Sequence, residues 1–168
     1  MGKSLDITEK FSRIINVKSV FSSPMKIKIE ANRFDCENLA KQWEVSAVES
    51  LYADIKLSKW KRIGVRVEGT VYAKIIQVCV ITLEPLTSYI EESLGCVLVP
   101  NSSKLLLSNY NCSGKNEFEI KGVDIIGFAE DGTIDIGFLV SDFAALAINP
   151  YPKKEGSVFS DIYNCYDK

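Results

Sequence analysis

The side chains that most often perform catalysis or hold metals are sparse in this chain. Its 168 residues contain five scattered cysteines and no histidine. Without histidine, the Ser-His-Asp and Cys-His arrangements are excluded, and the commonest metal ligand is missing. The cysteines are odd in number and include no CxxC pair, so we expect reduced thiols rather than a disulfide framework. They are Cys36, Cys79, Cys96, Cys112 and Cys165.

The spacing of the remaining candidate ligands does not indicate a metal site. A structural zinc site needs four closely spaced thiolates or imidazoles, which single, distant cysteines do not supply. The run at residues 127–135 has the composition of half a calcium loop, with Gly132 as its central glycine. In that alignment the first, third and twelfth positions of the loop fall on Gly127, Ala129 and Phe138, which offer no carboxylate. We therefore expect no metal and no cofactor.

One cluster of basic and aromatic residues has a chemical use, the binding of RNA. Lysine and arginine neutralise phosphates, and exposed aromatic rings stack on unpaired bases. The net charge of -2 gives no global attraction to nucleic acid, so an RNA contact has to come from a local basic patch. The alternative is an ordinary solvated strand face, on which lysines discourage edge-to-edge aggregation. The candidate RNA-binding residues are Lys56, Lys59, Trp60, Lys61, Arg62, Arg66, Tyr72 and Lys74, with Tyr52 beside them.

The segment that has to position this cluster is the most regular in the chain, at residues 62–84. From Ile63 to Ile75 the odd positions are apolar or small and the even positions are mostly polar. A period of two is typical of a strand with one buried face, and we take this strand as the central one. The register also places Cys79 on the buried side, as an inert side chain rather than a nucleophile. We expect the long strand to bulge or kink at Gly69.

The other periodic segments complete an α+β fold. We expect a curved or partly barrelled antiparallel meander, with a helix after its second strand and a C-terminal helix packed on it. Further strands are predicted at residues 11–20, 25–31, 47–60, 86–99 and 118–128. Helices are predicted at residues 33–44, capped by Asn32, and from Asp135 to a stop at Asn149-Pro150. An Asn- and Ser-rich loop is predicted at residues 100–116.

Length and composition set the domain organisation. A chain that is 46% hydrophobic at this length predicts one domain, at residues 11–152, between flexible segments at 1–10 and 153–168. The first ten residues contain no apolar run, and no stretch approaches the roughly 20 apolar residues that cross a bilayer. We expect a cytoplasmic protein that contacts no membrane.

Two blocks of this sequence resemble the YceD family of large ribosomal RNA accumulation proteins. One block runs from Val65 to Glu84, and the other runs from Ile134 to an Asn-Pro-Tyr-Pro stop. Much of the family has a second cysteine after the one that Cys79 matches, and this chain has Thr82 in its place. The matching residues are Gly69, Gln77, Cys79, Thr82, Leu83, Glu84, Pro85, Asp135, Pro150, Tyr151 and Pro152.

The resemblance implies a non-enzymatic factor that supports the synthesis, processing or stability of large-subunit (23S) ribosomal RNA in a bacterium. Its partner would be the precursor of that RNA or an early ribosomal protein, and no small-molecule substrate is implied. The alternative is a protein-only adaptor that docks on a ribosomal protein or a ribonuclease without touching RNA. A third hypothesis, an RNA-processing enzyme, finds neither histidine nor a paired-carboxylate motif in the chain. The oligomeric state is not indicated.

Overall fold

The computed structural model describes residues 10–104, 106 and 123–157. The strands in this part of the chain are β1 (Ile14–Asn16), β2 (Met25–Glu30), β3 (Ala47–Trp60), β4 (Gly64–Val78), β5 (Pro85–Pro100), β6 (Asp124–Phe128) and β7 (Thr133–Asp135). The helices are α1 (Val17–Ser22), α2 (Arg33–Gln42) and α3 (Ile136–Leu146). The predictions for residues 1–9, for most of the 100–116 loop, for the start of the 118–128 strand and for residues 158–168 lie outside the described residues.

The main sheet has the strand order β2-β3-β4-β5-β6, so the predicted central strand is central. β2 to β5 form an antiparallel meander, and β6 joins β5 in parallel. The sheet is mixed and is not closed into a barrel. β1 and β7 form a separate antiparallel pair. The α+β prediction is confirmed, and its last strand adds the parallel pairing.

Alternation along the strands leaves the main sheet with one apolar face, which we call the inner face. On β4 the odd-numbered residues Val65, Val67, Val71 and Ile75 are fully buried, as the period of two predicts. The facing residues of β3 and β5 follow the same rule, and the helices pack against this face. The opposite side, which we call the outer face, carries the even-numbered residues of β3 and β4.

Local capping starts both of the longer helices where the sequence predicts. Asn32 accepts a hydrogen bond from the Asp35 backbone N–H at 2.8 Å, and the Asp35 carboxylate accepts one from the Asn32 N–H at 3.1 Å, which forms a capping box. Asp135 accepts from the Phe138 N–H at 3.1 Å at the start of α3. No helix among the described residues is long and apolar enough to span a bilayer.

Two predictions at the ends of strands are wrong. The segment 11–20 is not one strand, because the Asn16 side chain accepts the Lys18 N–H at 2.9 Å and starts α1 after only three strand residues. Val17 and Val20 are buried at helical spacing, which a strand pattern cannot distinguish over so short a run. Ile63 is 45% exposed, because it lies in the turn before β4 rather than on the inner face.

Gly69 does not cause a bulge. The β3–β4 register runs unbroken through it, and the irregularity lies between Val48 and Ser50 instead. What requires glycine is a close approach of two backbones: a Cβ at position 69 would lie 2.2 Å from the Asp54 carbonyl oxygen and 3.0 Å from the Ile55 Cα. Neither backbone atom can move aside without disturbing the sheet.

We therefore expect Gly69→Ala to lower the free energy of unfolding by about 3 kcal/mol, the upper part of the usual range for overpacking. Gly95→Ala is the matched control, since a Cβ there meets nothing within 4 Å. Urea unfolding of both variants measures the difference. Equal stabilities of the two variants would contradict this account of Gly69.

Candidate functional site

The structure divides the predicted RNA-binding cluster among three places. Lys56, Arg66, Tyr72 and Lys74 lie on the outer face, together with Trp60 at its end. Tyr72 stacks on Tyr52 across the β3–β4 pair, with ring centroids 4.8 Å apart. These residues therefore share a surface, as predicted.

Lys59 does not share that surface, so the prediction of one continuous cluster is wrong for this residue. Its position has the parity of buried Leu57, and its Nζ lies 5.6 Å from the centroid of Phe21 on α1. Lys61 and Arg62 occupy the exposed turn between β3 and β4, where the Lys61 Nζ lies 4.5 Å from the Trp60 ring. The turn thus extends the basic surface beyond the end of the sheet.

Ion pairing reduces the positive charge at the end of the outer face that lies toward the β4–β5 turn. Lys74 forms an ion pair with Glu49, which raises the pKa of Lys74, and its Nζ also lies 6.0 Å from the Tyr89 ring. The row through Tyr72 adds Glu30 on one side and Glu91 on the other. This end of the outer face is therefore acidic.

The other end is basic, and two of its lysines were not predicted as site residues. Lys26 and Lys28 on β2 join Lys56 around a pocket of about 570 Å³, which we call the lysine pocket. Its acidic residues are Asp54, paired with Lys28 at 3.7 Å, and Glu68, paired with Arg66 at 4.0 Å. The alternation of lysines in β2 was visible in the sequence. The register that places Lys26 directly opposite Lys56 was not.

The two sequence blocks that resemble the YceD family meet at one corner of the fold. We call this corner, residues 77–85 and 149–154, the hairpin–tail junction. The Gln77 Nε2 donates to the Asn149 carbonyl at 2.9 Å, and the Val80 N–H donates to the Pro152 carbonyl at 3.0 Å. Lys154 forms an ion pair with Glu84 at 2.7 Å.

Buried Gln77 is hydrogen-bonded at both ends of its amide, because Ser88 Oγ donates to its Oε1 at 3.1 Å. Ser88 interrupts the apolar inward positions of β5, and that interruption was the sequence signal for a buried polar partner.

Cys79 lies inside the junction and is fully buried, as the strand register predicts. Its Sγ accepts the backbone N–H of Lys154 at 3.3 Å and that of Thr82 at 3.5 Å. Hydrogen bonds from Thr82, side chain and backbone, and from the Lys154 backbone lower the pKa of the Cys79 thiol to about 6. Through these hydrogen bonds the Cys79 sulfur holds the residues after α3 against the hairpin.

The pKa values of the other two described cysteines are shifted in the opposite direction, upward. Burial raises the pKa of the Cys96 thiol to about 12, and burial also raises the pKa of Cys36. Among the described residues, no group of three or more Cys, Asp or Glu side chains is arranged to hold a metal ion.

Asp135 connects the N-terminal segment to α3. Besides capping the helix, its carboxylate accepts the Ser12 hydroxyl at 2.7 Å and the Arg13 N–H at 2.9 Å. Gly137 allows the backbone at Arg13 to pass close to α3, since a Cβ at position 137 would lie 2.7 Å from the Arg13 nitrogen. The capping role predicted for Asp135 is confirmed, and both of its carboxylate oxygens accept hydrogen bonds within the fold.

Because its pKa is lowered in the folded state, Cys79 adds stability that is present above pH 9 and is lost as the pH falls through about 6. We expect the ultraviolet absorbance of thiolate to show a transition near pH 6 that Cys79→Ala removes. The stability difference between wild type and Cys79→Ala should fall across the same interval.

Cys96→Ala is the matched control, since the pKa of Cys96 is about 12 and its loss leaves the transition in place. A thiolate transition near pH 9 alone, with none near pH 6, would contradict the ionised state of Cys79.

Comparisons with protein-family models, with curated proteins and with solved structures found no match. The resemblance of the two blocks to the YceD family therefore stays a prediction.

Proposed function

We propose that the chain is a non-catalytic, YceD-like RNA-binding protein that supports the accumulation of large-subunit ribosomal RNA in the bacterial cytoplasm. The observation that carries the RNA contact is the pair formed by Lys26 and Lys56. They lie directly opposite each other on neighbouring strands, both are exposed, and neither forms an ion pair with a described residue. Like charges directly opposite are destabilising in a sheet. A bound phosphate relieves that repulsion.

The surroundings of the pair suit a single-stranded RNA. The stacked rings of Tyr52 and Tyr72 lie four residues along the strands from Lys56, a distance of about 13 Å. Tyr52 is 47% exposed, so a base can stack on it while a phosphate lies in the lysine pocket. Aromatic stacking beside a basic groove is the common mode of single-strand recognition.

Replacing both lysines with glutamine should weaken RNA binding and its salt dependence. The probe is a labelled single-stranded RNA of about 12 nucleotides, and its binding is followed by fluorescence anisotropy over a range of salt. We expect Lys26→Gln with Lys56→Gln to raise Kd about tenfold at low salt and to reduce the slope of log K against log salt by about 1.4, for two phosphates.

Lys41→Gln is the control, because Lys41 is an exposed lysine on α2, away from the outer face. Equal Kd values for the double variant and the control would refute an RNA contact at the lysine pocket.

The same charge pair predicts a gain in stability in the absence of RNA. Removing one of two opposed like charges should raise the free energy of unfolding by about 0.2–1 kcal/mol. Lys26→Gln should therefore unfold at higher urea concentration than wild type while binding RNA less well. A lower free energy of unfolding for Lys26→Gln would mean that Lys26 makes a stabilising contact in the wild type, and that this contact outweighs its repulsion by Lys56.

The second candidate is a protein-only adaptor, and the hairpin–tail junction favours it. Large apolar side chains are exposed at chain positions within or next to the junction, an arrangement typical of protein interaction surfaces. They are Val78, Val80, Leu83, Leu146 and Tyr151. Capture of a ribosomal protein or a ribonuclease that survives ribonuclease treatment, and that Leu83→Ser with Tyr151→Ser abolishes, would support the adaptor over the RNA-binding protein.

A further inference from the structure

The edge of β5 away from β4 is long and, within the described chain, mostly open. On one side β4 pairs with residues 85–98 without a register shift. On the other side β6 pairs only from Cys96 to Pro100. Residues 86–95 therefore have a described strand neighbour on one side only.

Two hydrogen bonds at the ends of β5 determine which backbone groups face this open edge. The Cys79 N–H donates to the Glu84 carbonyl, so the Glu84 carbonyl points toward β4. The Asn101 N–H donates to the Phe128 carbonyl on the opposite side. Successive residues of a strand direct their N–H and C=O groups to alternate sides. The groups that face the open edge hence belong to the odd-numbered residues, which are Thr87, Tyr89, Glu91, Ser93 and Gly95.

This edge lacks several of the usual protections against pairing. Edge strands commonly carry lysines, proline or a bulge. Between residues 86 and 95 there is no lysine and no proline, and the β4 pairing shows no bulge. The five odd-numbered residues are all exposed, Tyr89 to 77%, and a Cβ added to Gly95 would meet nothing within 4 Å.

The charges that the edge does carry select its partner. Glu91 and Glu92 are consecutive and both exposed, one on each face of the strand. A second copy of this chain, paired antiparallel about the centre of the open segment, would place Glu91 against Glu91, which is unfavourable. A lysine- or arginine-rich extended segment instead gains an ion pair on each face, and Tyr89 offers its ring to a cation.

We infer that the β5 edge binds a basic, extended polypeptide segment by adding it to the sheet as a further strand. Backbone hydrogen bonds to the five odd-numbered residues hold the segment, and Glu91 and Glu92 determine its charge. This surface is separate from the lysine pocket, since none of the residues that line the pocket belongs to β5. The inference goes beyond both candidate functions and does not depend on RNA binding.

The test uses the full chain and a peptide of about ten residues in which lysine and valine alternate, long enough to span the open edge. Amide hydrogen exchange is followed by NMR with and without the peptide. In the free protein, the N–H groups of Tyr89, Glu91 and Ser93 should exchange quickly while those of Ile90 and Leu94 are protected. The peptide should slow exchange at the odd-numbered residues selectively, and a peptide of alternating glutamate and valine should not.

Two variants separate charge from backbone pairing. Glu91→Lys with Glu92→Lys should weaken peptide binding about tenfold, because two attractions become repulsions. Ser93→Pro removes one edge-facing N–H without removing a β4 hydrogen bond, and it should weaken binding about fivefold. Ser93→Ala, which keeps the N–H, is its control and should bind as wild type does.

Three results would overturn the inference. Slow exchange of the odd-numbered amides in the free protein would mean that this chain's own residues, such as those of 107–122 that lead into β6, already cover the edge. Sedimentation as a dimer that Ser93→Pro disrupts would assign the edge to a second copy. Equal peptide binding by wild type and by the double lysine variant would place the peptide elsewhere.

Discussion

One-sided burial of a five-stranded sheet is the constraint on which the rest of this structure depends. The period of two sends most of the large aliphatic side chains of β3 and β4 to the inner face, where the helices and Phe11, which precedes β1, cover it. Apart from Val97 and Val99 of β5, which are fully buried, the outer face carries mostly polar, charged and aromatic side chains. Whatever the protein recognises through this face has to be recognised by charge, by aromatic rings and by backbone groups at the edges.

Covering the inner face requires that segments distant in sequence be held together, and hydrogen bonds to a few motif residues do this. Asp135 holds the residues before β1 against the start of α3, while Gln77 and Cys79 hold the residues after α3 against the β4–β5 hairpin. Hydrogen bonds thus fix the position of α3 near both of its ends. Gln77, Cys79 and Asp135, which make these contacts, are three of the residues on which the predicted resemblance to the YceD family rests.

Each end of the outer face carries an excess of one sign of charge. Lys26, Lys56 and Arg66 lie toward the β3–β4 turn, whereas Glu30, Glu49 and Glu91 lie toward the β4–β5 turn. A net charge of -2 conceals this separation. The proposed anion site and the proposed peptide-binding edge use different residues, because none of the residues that line the lysine pocket belongs to β5.

Local patterns in the sequence were sufficient for β3, for the buried face of β4, for the burial of Cys79 and for the caps Asn32 and Asp135, because each depends on neighbours within a few residues. The alternation along β3 also places Lys59 on the same side as Leu57. The prediction of one basic cluster did not take this alternation into account. Only the tertiary structure decided the opposition of Lys26 and Lys56, the contact of Cys79 with Lys154 and the length of β5 that β6 leaves unpaired within the described chain. Strand register, parallel addition of β6 and the return of the chain after α3 are set by packing between segments far apart in sequence, and a one-dimensional pattern carries no information about which of the possible pairings buries the most apolar surface.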